Sequence, residues 1–189
     1  GARTALYFLK RVGLKAGQRI LIYGASGSVG TYAVQMARHF GAEVTAVCSA
    51  ANMEWVRALG AKEVIDYTAP DFRQQLTSYD VVFEAVDKLS FAISESVLAP
   101  RGTYVNITNP FPAWPQLRAK LFSQKKIMMA ESIVDDLAPM DTLREWLEAG
   151  IIRPVIDRQY ELDEIVGAHR YVDQGHKKGN VAIRLLHED

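Results

Sequence analysis

One cysteine, Cys48, stands in 189 residues. A lone thiol excludes an intrachain disulfide and any cysteine-clustered zinc site, and it suits a reducing compartment. An excess of one charge sign is also lacking: 22 Lys+Arg against 22 Asp+Glu leave a formal charge of zero. Proteins that hold nucleic acid without sequence preference carry a cationic surplus, so no nucleic-acid partner is expected. No apolar run approaches the length of a membrane span, and the opening GARTALYFLK lacks the layout of a signal peptide. No membrane association is therefore expected, and the expected location is cytoplasmic. What the chain does have is an ordinary packed-domain composition, 49% hydrophobic and 23% charged. That is enough apolar surface for a full core.

Short apolar runs alternate with amphipathic segments, the pattern of repeated βα units and a parallel sheet. Strands are predicted at Ile20–Tyr23, Val44–Val47, Val64–Asp66, Val81–Ala85, Thr103–Ile107 and Ile127–Ala130. Several are apolar at consecutive positions, as strands buried on both faces are. Between the first two, Val29, Tyr32, Ala33, Met36, Ala37 and Phe40 form one helical stripe ending at Gly41. Further helices are predicted near Thr4–Val12, Met53–Leu59 and Leu137–Ala149. The fold class is therefore α/β, a Rossmann-type doubly wound parallel sheet of about six strands. Residues 1–150 form this domain, and residues 151–189 a short C-terminal tail. The tail reads as an extended piece at Pro154–Asp157, a helix near Asp163–Gln174 and a strand at Val181–Leu185. Residues 109–115, with three prolines, read as a loop.

The most informative residues are Gly24-Ala25-Ser26-Gly27-Ser28-Val29-Gly30, directly after the first strand and opening the best helix. A glycine-rich turn in that context lets backbone approach a pyrophosphate while N–H groups at the helix start point at the anion. Gly24 is expected to permit the turn, Gly27 the close approach and Gly30 close helix–strand packing. Ser26, Ser28 and Val29 complete this phosphate-binding set. The spacing is G-x-x-G-x-x-G, one residue longer than the usual dinucleotide fingerprint. An NAD site usually places an acid at the end of the second strand for the ribose 2′-hydroxyl. Here that strand runs into Cys48-Ser49-Ala50-Ala51-Asn52, with no acid. Ser49 and Asn52 can donate hydrogen bonds and Arg57 or Arg38 can add charge, so NADP is the expected cofactor.

Other residues have plainer readings. Cys48 reads as an apolar filler at a strand end, and Met128-Met129 as strand core. His39, His169, His176 and His187 show no ligand spacing with Asp, Glu or Cys, so no metal is expected. Trp114 reads as loop packing or as a cover over the cofactor or an interface, and Lys125-Lys126, Asp135-Asp136 and Lys177-Lys178 as solvated surface. There is neither a Tyr-x-x-x-Lys pair nor a Gly-x-Ser-x-Gly elbow, which excludes a short-chain dehydrogenase and an α/β-hydrolase.

Several stretches in order resemble the medium-chain dehydrogenase/reductase superfamily, in particular its zinc-free quinone-reductase-like branch. They are TALYFLKRVGLKAGQRILIYGASGSVGTYAVQMA, LGAKEVIDYT, YDVVFEAV, LAPRGTYVNI and GIIRPVIDRQYELDEIVGAHRYVDQGHKKGNVAI. The resemblance implies a reductase that passes hydride from NADPH to a quinone or an α,β-unsaturated carbonyl. It implies that Tyr67 lies near the adenine or 2′-phosphate end. It also implies that Val86 and Asn106–Thr108, hence Ile107 and Thr108, approach the nicotinamide. The family's first, catalytic domain has no counterpart in these residues, so no catalytic residue is assigned and the chain alone is expected to be inactive. The tail, which in the family packs on that domain, is then expected to expose an apolar patch covered by self-association, a homo-oligomer, or by a shifted tail. Asn180 stands where many relatives carry lysine. The alternatives kept open are a stand-alone NADP(H)-binding or sensing module without turnover, and a partner-binding domain that keeps the fold alone.

Overall fold

The computed structural model describes residues 1–108, 124–129 and 138–185. β1 (Arg19–Tyr23) lies inside the sheet, and its side chains alternate between two buried layers. Ile20 and Ile22 join one apolar cluster, Leu21 and Tyr23 the other. The same alternation runs through β2 (Glu43–Cys48), with Val44 and Ala46 opposite Val47, and β4 (Tyr79–Glu84), with Val81 and Phe83 opposite Val82. Burial on both faces is why these strands read as continuous apolar runs.

With β3 (Glu63–Asp66), β5 (Leu98–Asn106) and β6 (Lys126–Met129), the strands order as β3-β2-β1-β4-β5-β6, every pair parallel. This is the expected α/β, Rossmann-type sheet. One face is covered by α1 (Ala2–Val12) and α2 (Ser28–His39), which deliver Leu6, Phe8, Leu9, Val34 and Met36 to the larger cluster. α3 (Met53–Ala58) adds Val56, and α6 (Ala138–Glu148) adds Leu143. The other face is covered by α4 (Phe72–Gln75) and α5 (Phe91–Val97), two short helices that the apolar pattern had not marked. Trp114, the proline loop, Ala130 and Asp135-Asp136 lie outside the described residues.

The extended piece, helix and strand expected in the tail form a βαβ unit. β7 (Ile156–Glu161) pairs in parallel with β8 (Asn180–Arg184), and α7 (Ile165–Asp173) makes the crossover that a parallel pair requires. The Arg158 guanidinium lies 3.9 Å from the Tyr171 ring centroid, and the Tyr171 hydroxyl donates to Asp157 Oδ2 at 2.6 Å. Before β7 the buried Gln35 side chain accepts from the Arg153 N–H at 2.8 Å and donates to its carbonyl at 3.1 Å. Ile156, Leu162, Val166 and Leu185 are exposed. Among the described residues no helix is long and apolar enough to cross a membrane.

Candidate functional site

The chain leaves β1 and enters α2 through Gly24-Ala25-Ser26-Gly27, and the three glycines of the loop do different work. Gly24 sits at φ +81, where side chains are strained, and an added Cβ would fall 2.7 Å from Val86 Cγ1. At Gly30 a Cβ would lie 2.2 Å from the Gly24 carbonyl oxygen and 2.7 Å from Ala25 Cα. Gly27 is unlike both. Its φ of −84 and ψ of 177 suit any residue, and a Cβ would meet only the Gly24 oxygen, at 3.4 Å. Gly24 and Gly30 therefore serve the protein's own packing, whereas Gly27 keeps clear the space in front of α2.

That space is an anion-seeking one. No side chain caps α2. The N–H groups of its first turn have no carbonyl within the helix, and the positive end of the helix dipole lies there. A cavity of about 280 Å³ opens on this turn. It is lined by Gly24, Gly27, Ser28, Val29 and Gly30 from the loop, by Ala85 and Val86 beyond β4, and by Val172, Gly175 and Lys177 from the tail. It stands at the C-terminal ends of β1 and β4, where the strand order reverses. Ligand sites of open α/β sheets fall at that crevice.

The remaining expected residues follow the C-terminal ends of neighbouring strands, outside the cavity lining. Asn52 donates to Ser49 Oγ at 3.0 Å and accepts from Trp55 Nε1 at 3.0 Å, so the two residues beyond β2 are tied together. Tyr67, beyond β3, is exposed, its ring centroid 6.2 Å from that of Tyr23. Ile107 packs at the edge of the larger cluster, and Thr108 donates to Asn106 Oδ1 through its N–H at 2.9 Å and its hydroxyl at 2.8 Å. Ser26 takes part through its carbonyl, which accepts from the Gly179 N–H at 2.8 Å.

Three features were not anticipated. Asp66, at the end of β3 and paired in register with Cys48, has its carboxyl held below the usual range by the Thr68 N–H and hydroxyl. An acid therefore does reach the end of β2, from the adjacent strand. Lys177 is half-buried against the phosphate loop rather than solvated, a correction to the surface reading of Lys177-Lys178. Cys48 keeps its expected filler role, its thiol pushed up to about 11 by burial.

The third is Glu84, fully buried at the end of β4. Its Oε1 accepts from the Val86 N–H and its Oε2 from the Leu89 N–H, both at 2.6 Å, which folds the loop carrying Val86 back over the strand. The Tyr104 hydroxyl donates to the Leu89 carbonyl at 2.8 Å and secures the same turn. Burial pushes the Glu84 carboxyl up, against the pull of these N–H donors. The Glu84→Gln variant puts an amide NH₂ against a backbone N–H. It is expected to cost about 1–3 kcal/mol, read as a Tm lowered by about 2–4 °C per kcal/mol in thermal denaturation. An unchanged Tm would remove the loop-holding role.

Residues 59–183 match the family model described as zinc-binding dehydrogenase. The chain belongs to this family. It lies with the quinone-oxidoreductase-like members of the medium-chain dehydrogenase/reductase superfamily and corresponds to their cofactor-binding domain. The mitochondrial NAD(P)H oxidoreductase RTN4IP1 of Mus musculus is 31% identical, over 90% of this chain and 48% of that protein. The 2-methylene-furan-3-one reductase of Solanum lycopersicum is also 31% identical, over 97% of this chain and 44% of that protein. Among solved structures, the quinone oxidoreductase from Coxiella burnetii superposes with a TM-score of 0.86 at 26% identity, covering 97% of this chain and 57% of that one. The chain thus spans about half the length of the relatives it matches.

The family name invites a test for zinc. Among the described residues no group of three or more His, Cys, Asp or Glu is placed to hold a metal ion. The described residues do not form a zinc site. A nicotinamide dinucleotide fits better, because the uncapped first turn offers N–H donors to a pyrophosphate and Gly27 leaves the space before them open.

Proposed function

We propose that this chain is the NADPH-binding part of an oxidoreductase that transfers hydride to a quinone or an α,β-unsaturated carbonyl. The observation that carries the reading is the cavity in front of Gly27, at the uncapped start of α2 and at the reversal of strand order. The bound cofactor would supply the hydride chemistry. The chain's own residues bind and orient. The α2 N–H groups take the pyrophosphate, and Ser49, Asn52 and Tyr67 surround the adenosine end. Val86, Ile107 and Thr108 flank the nicotinamide end, and the Glu84-held turn fixes Val86 beside Gly24. The relatives, an NAD(P)H oxidoreductase, a 2-methylene-furan-3-one reductase and a quinone oxidoreductase, support the same reaction class.

Titration of NADPH and NADH by fluorescence tests the cofactor. NADPH is expected to bind tighter, and the Ser49→Glu variant is expected to lose NADPH affinity by more than about tenfold through like-charge repulsion while NADH is little affected. Asp66, paired with Cys48 at the end of β2, favours a second reading, an NADH site, and tighter NADH binding by the wild type would establish it over the first. Turnover of a simple quinone or enone separates an enzyme from a binding or sensing module. Cofactor binding without turnover would favour the module, or a chain that needs the rest of its enzyme.

A further inference from the structure

Where the tail crosses the phosphate loop, it contributes one charged group. The Lys177 ammonium donates to Ser28 Oγ at 2.6 Å and to the Gly179 carbonyl at 2.7 Å, and Ser28 Oγ itself donates to that carbonyl at 2.8 Å. The Gly179 N–H on the Ser26 carbonyl fixes the crossing. Gly175 and Gly179, at φ +76 and +61, make the two turns that bring the short segment between them against the loop. Asn180, by contrast, is turned to the Val155 carbonyl and offers no charge here.

The position is electrostatically unfavourable for a cation. Lys177 is half-buried, and desolvation holds its pKa below that of an ordinary lysine. It sits on the first residue of α2, at the positive end of the helix dipole. Among the described residues no carboxylate forms an ion pair with it. Asp157 acts on it only at longer range, and Asp157 Oδ2 is already taken by the Tyr171 hydroxyl and by the Lys178 N–H at 2.9 Å. An ammonium has three protons, of which two are used here, so one donor is left. A diphosphate in the cavity would satisfy that donor, the helix N–H groups and the charge together.

We propose that Lys177 is the cation that binds the pyrophosphate of the dinucleotide, supplied to the loop by the tail. The inference rests on the cofactor reading above and names a contact within it. Because Lys177 touches Ser28 and not the residues beyond β2, its charge serves the phosphates common to NADPH, NADH and ADP-ribose.

The experiment compares wild type, Lys177→Met and Lys177→Arg, titrated with NADPH, NADH and ADP-ribose at one ionic strength, with thermal unfolding recorded without ligand. Lys177→Met is expected to weaken all three ligands by a similar factor, about tenfold to a hundredfold, and Lys177→Arg to recover most of it. Without ligand, the Tm of Lys177→Met should equal or exceed that of wild type, since a poorly solvated charge has been removed. Unchanged affinities in Lys177→Met, with a wild type that binds, would overturn the role of Lys177 and leave the cofactor site standing. Loss confined to NADPH would move the cation to the 2′-phosphate and overturn the assignment. A lowered ligand-free Tm with unrecovered binding in Lys177→Arg would make Lys177 a strut and overturn it too. A wild type that binds none of the three would instead sink the cofactor reading itself.

Discussion

The Gly27→Val variant is expected to lose more than about a hundredfold in NADPH affinity while keeping its fold. Residue 27 has an extended backbone that valine adopts without strain, and the nearest protein atom to a new Cβ is the Gly24 oxygen at 3.4 Å. The folded chain therefore accepts the substitution. The residual cost is that of a poor N-cap, about 1 kcal/mol, or about 2–4 °C in Tm. The added methyl groups project into the space in front of the α2 N–H groups, where a phosphate would make its hydrogen bonds. Titration and thermal unfolding of the same preparation check both halves. Retained affinity would remove the phosphate-loop assignment, and a collapsed Tm would show that Gly27 is a packing residue after all.

The Gly30→Ala variant is expected to show the reverse emphasis, a large loss of stability from a single methyl group. The new Cβ would lie 2.2 Å from the Gly24 oxygen and 2.7 Å from Ala25 Cα. All of these neighbours are backbone, so no side chain can turn aside. Either α2 lifts off β1 or the loop opens, and both disturb the larger core cluster where Val34 and Met36 sit. Overpacking of this kind costs about 3 kcal/mol or more, a Tm lower by about 6–12 °C. Calorimetry or circular dichroism on heating measures it directly. A Tm equal to wild type would mean that the helix–strand contact is looser than these distances state.

The strand–glycine–helix unit was legible in the sequence because its signals are local. Four apolar residues, a glycine turn and one helical stripe all fall within residues 20–40. Elements that depend on distant partners were not. β5 begins at Leu98, well before the predicted Thr103, because Leu98 pairs with Tyr79 across a break in register. The intervening Pro100-Arg101-Gly102, with Arg101 at φ +65, looks like a turn in isolation. β7 ends in the polar run Asp157-Arg158-Gln159-Tyr160-Glu161, where the apolar pattern stops the extended piece at Asp157. Its strand character comes from pairing with β8 and from Arg158 lying on Tyr171. At the site, Lys177 was read as surface because HKKG resembles a solvated turn. Its place is set by its hydrogen bond to Ser28 and by that of the Gly179 N–H to Ser26, both far away in sequence. The bracketing glycines were the one available signal.

The way the tail is fastened has a kinetic side. β7, α7 and β8 satisfy one another's hydrogen bonds within a contiguous stretch, and described hydrogen bonds to the sheet domain converge on Gln35 and on the Ser26–Ser28 loop. Such a unit can detach cooperatively at a smaller free-energy cost than unfolding the sheet. Detachment would withdraw Val172, Gly175 and Lys177 from one wall of the cavity in a single movement. Residence time at the loop then depends on how often the tail lets go, so substitutions on its outer face, remote from every ligand contact, would act on dissociation rate.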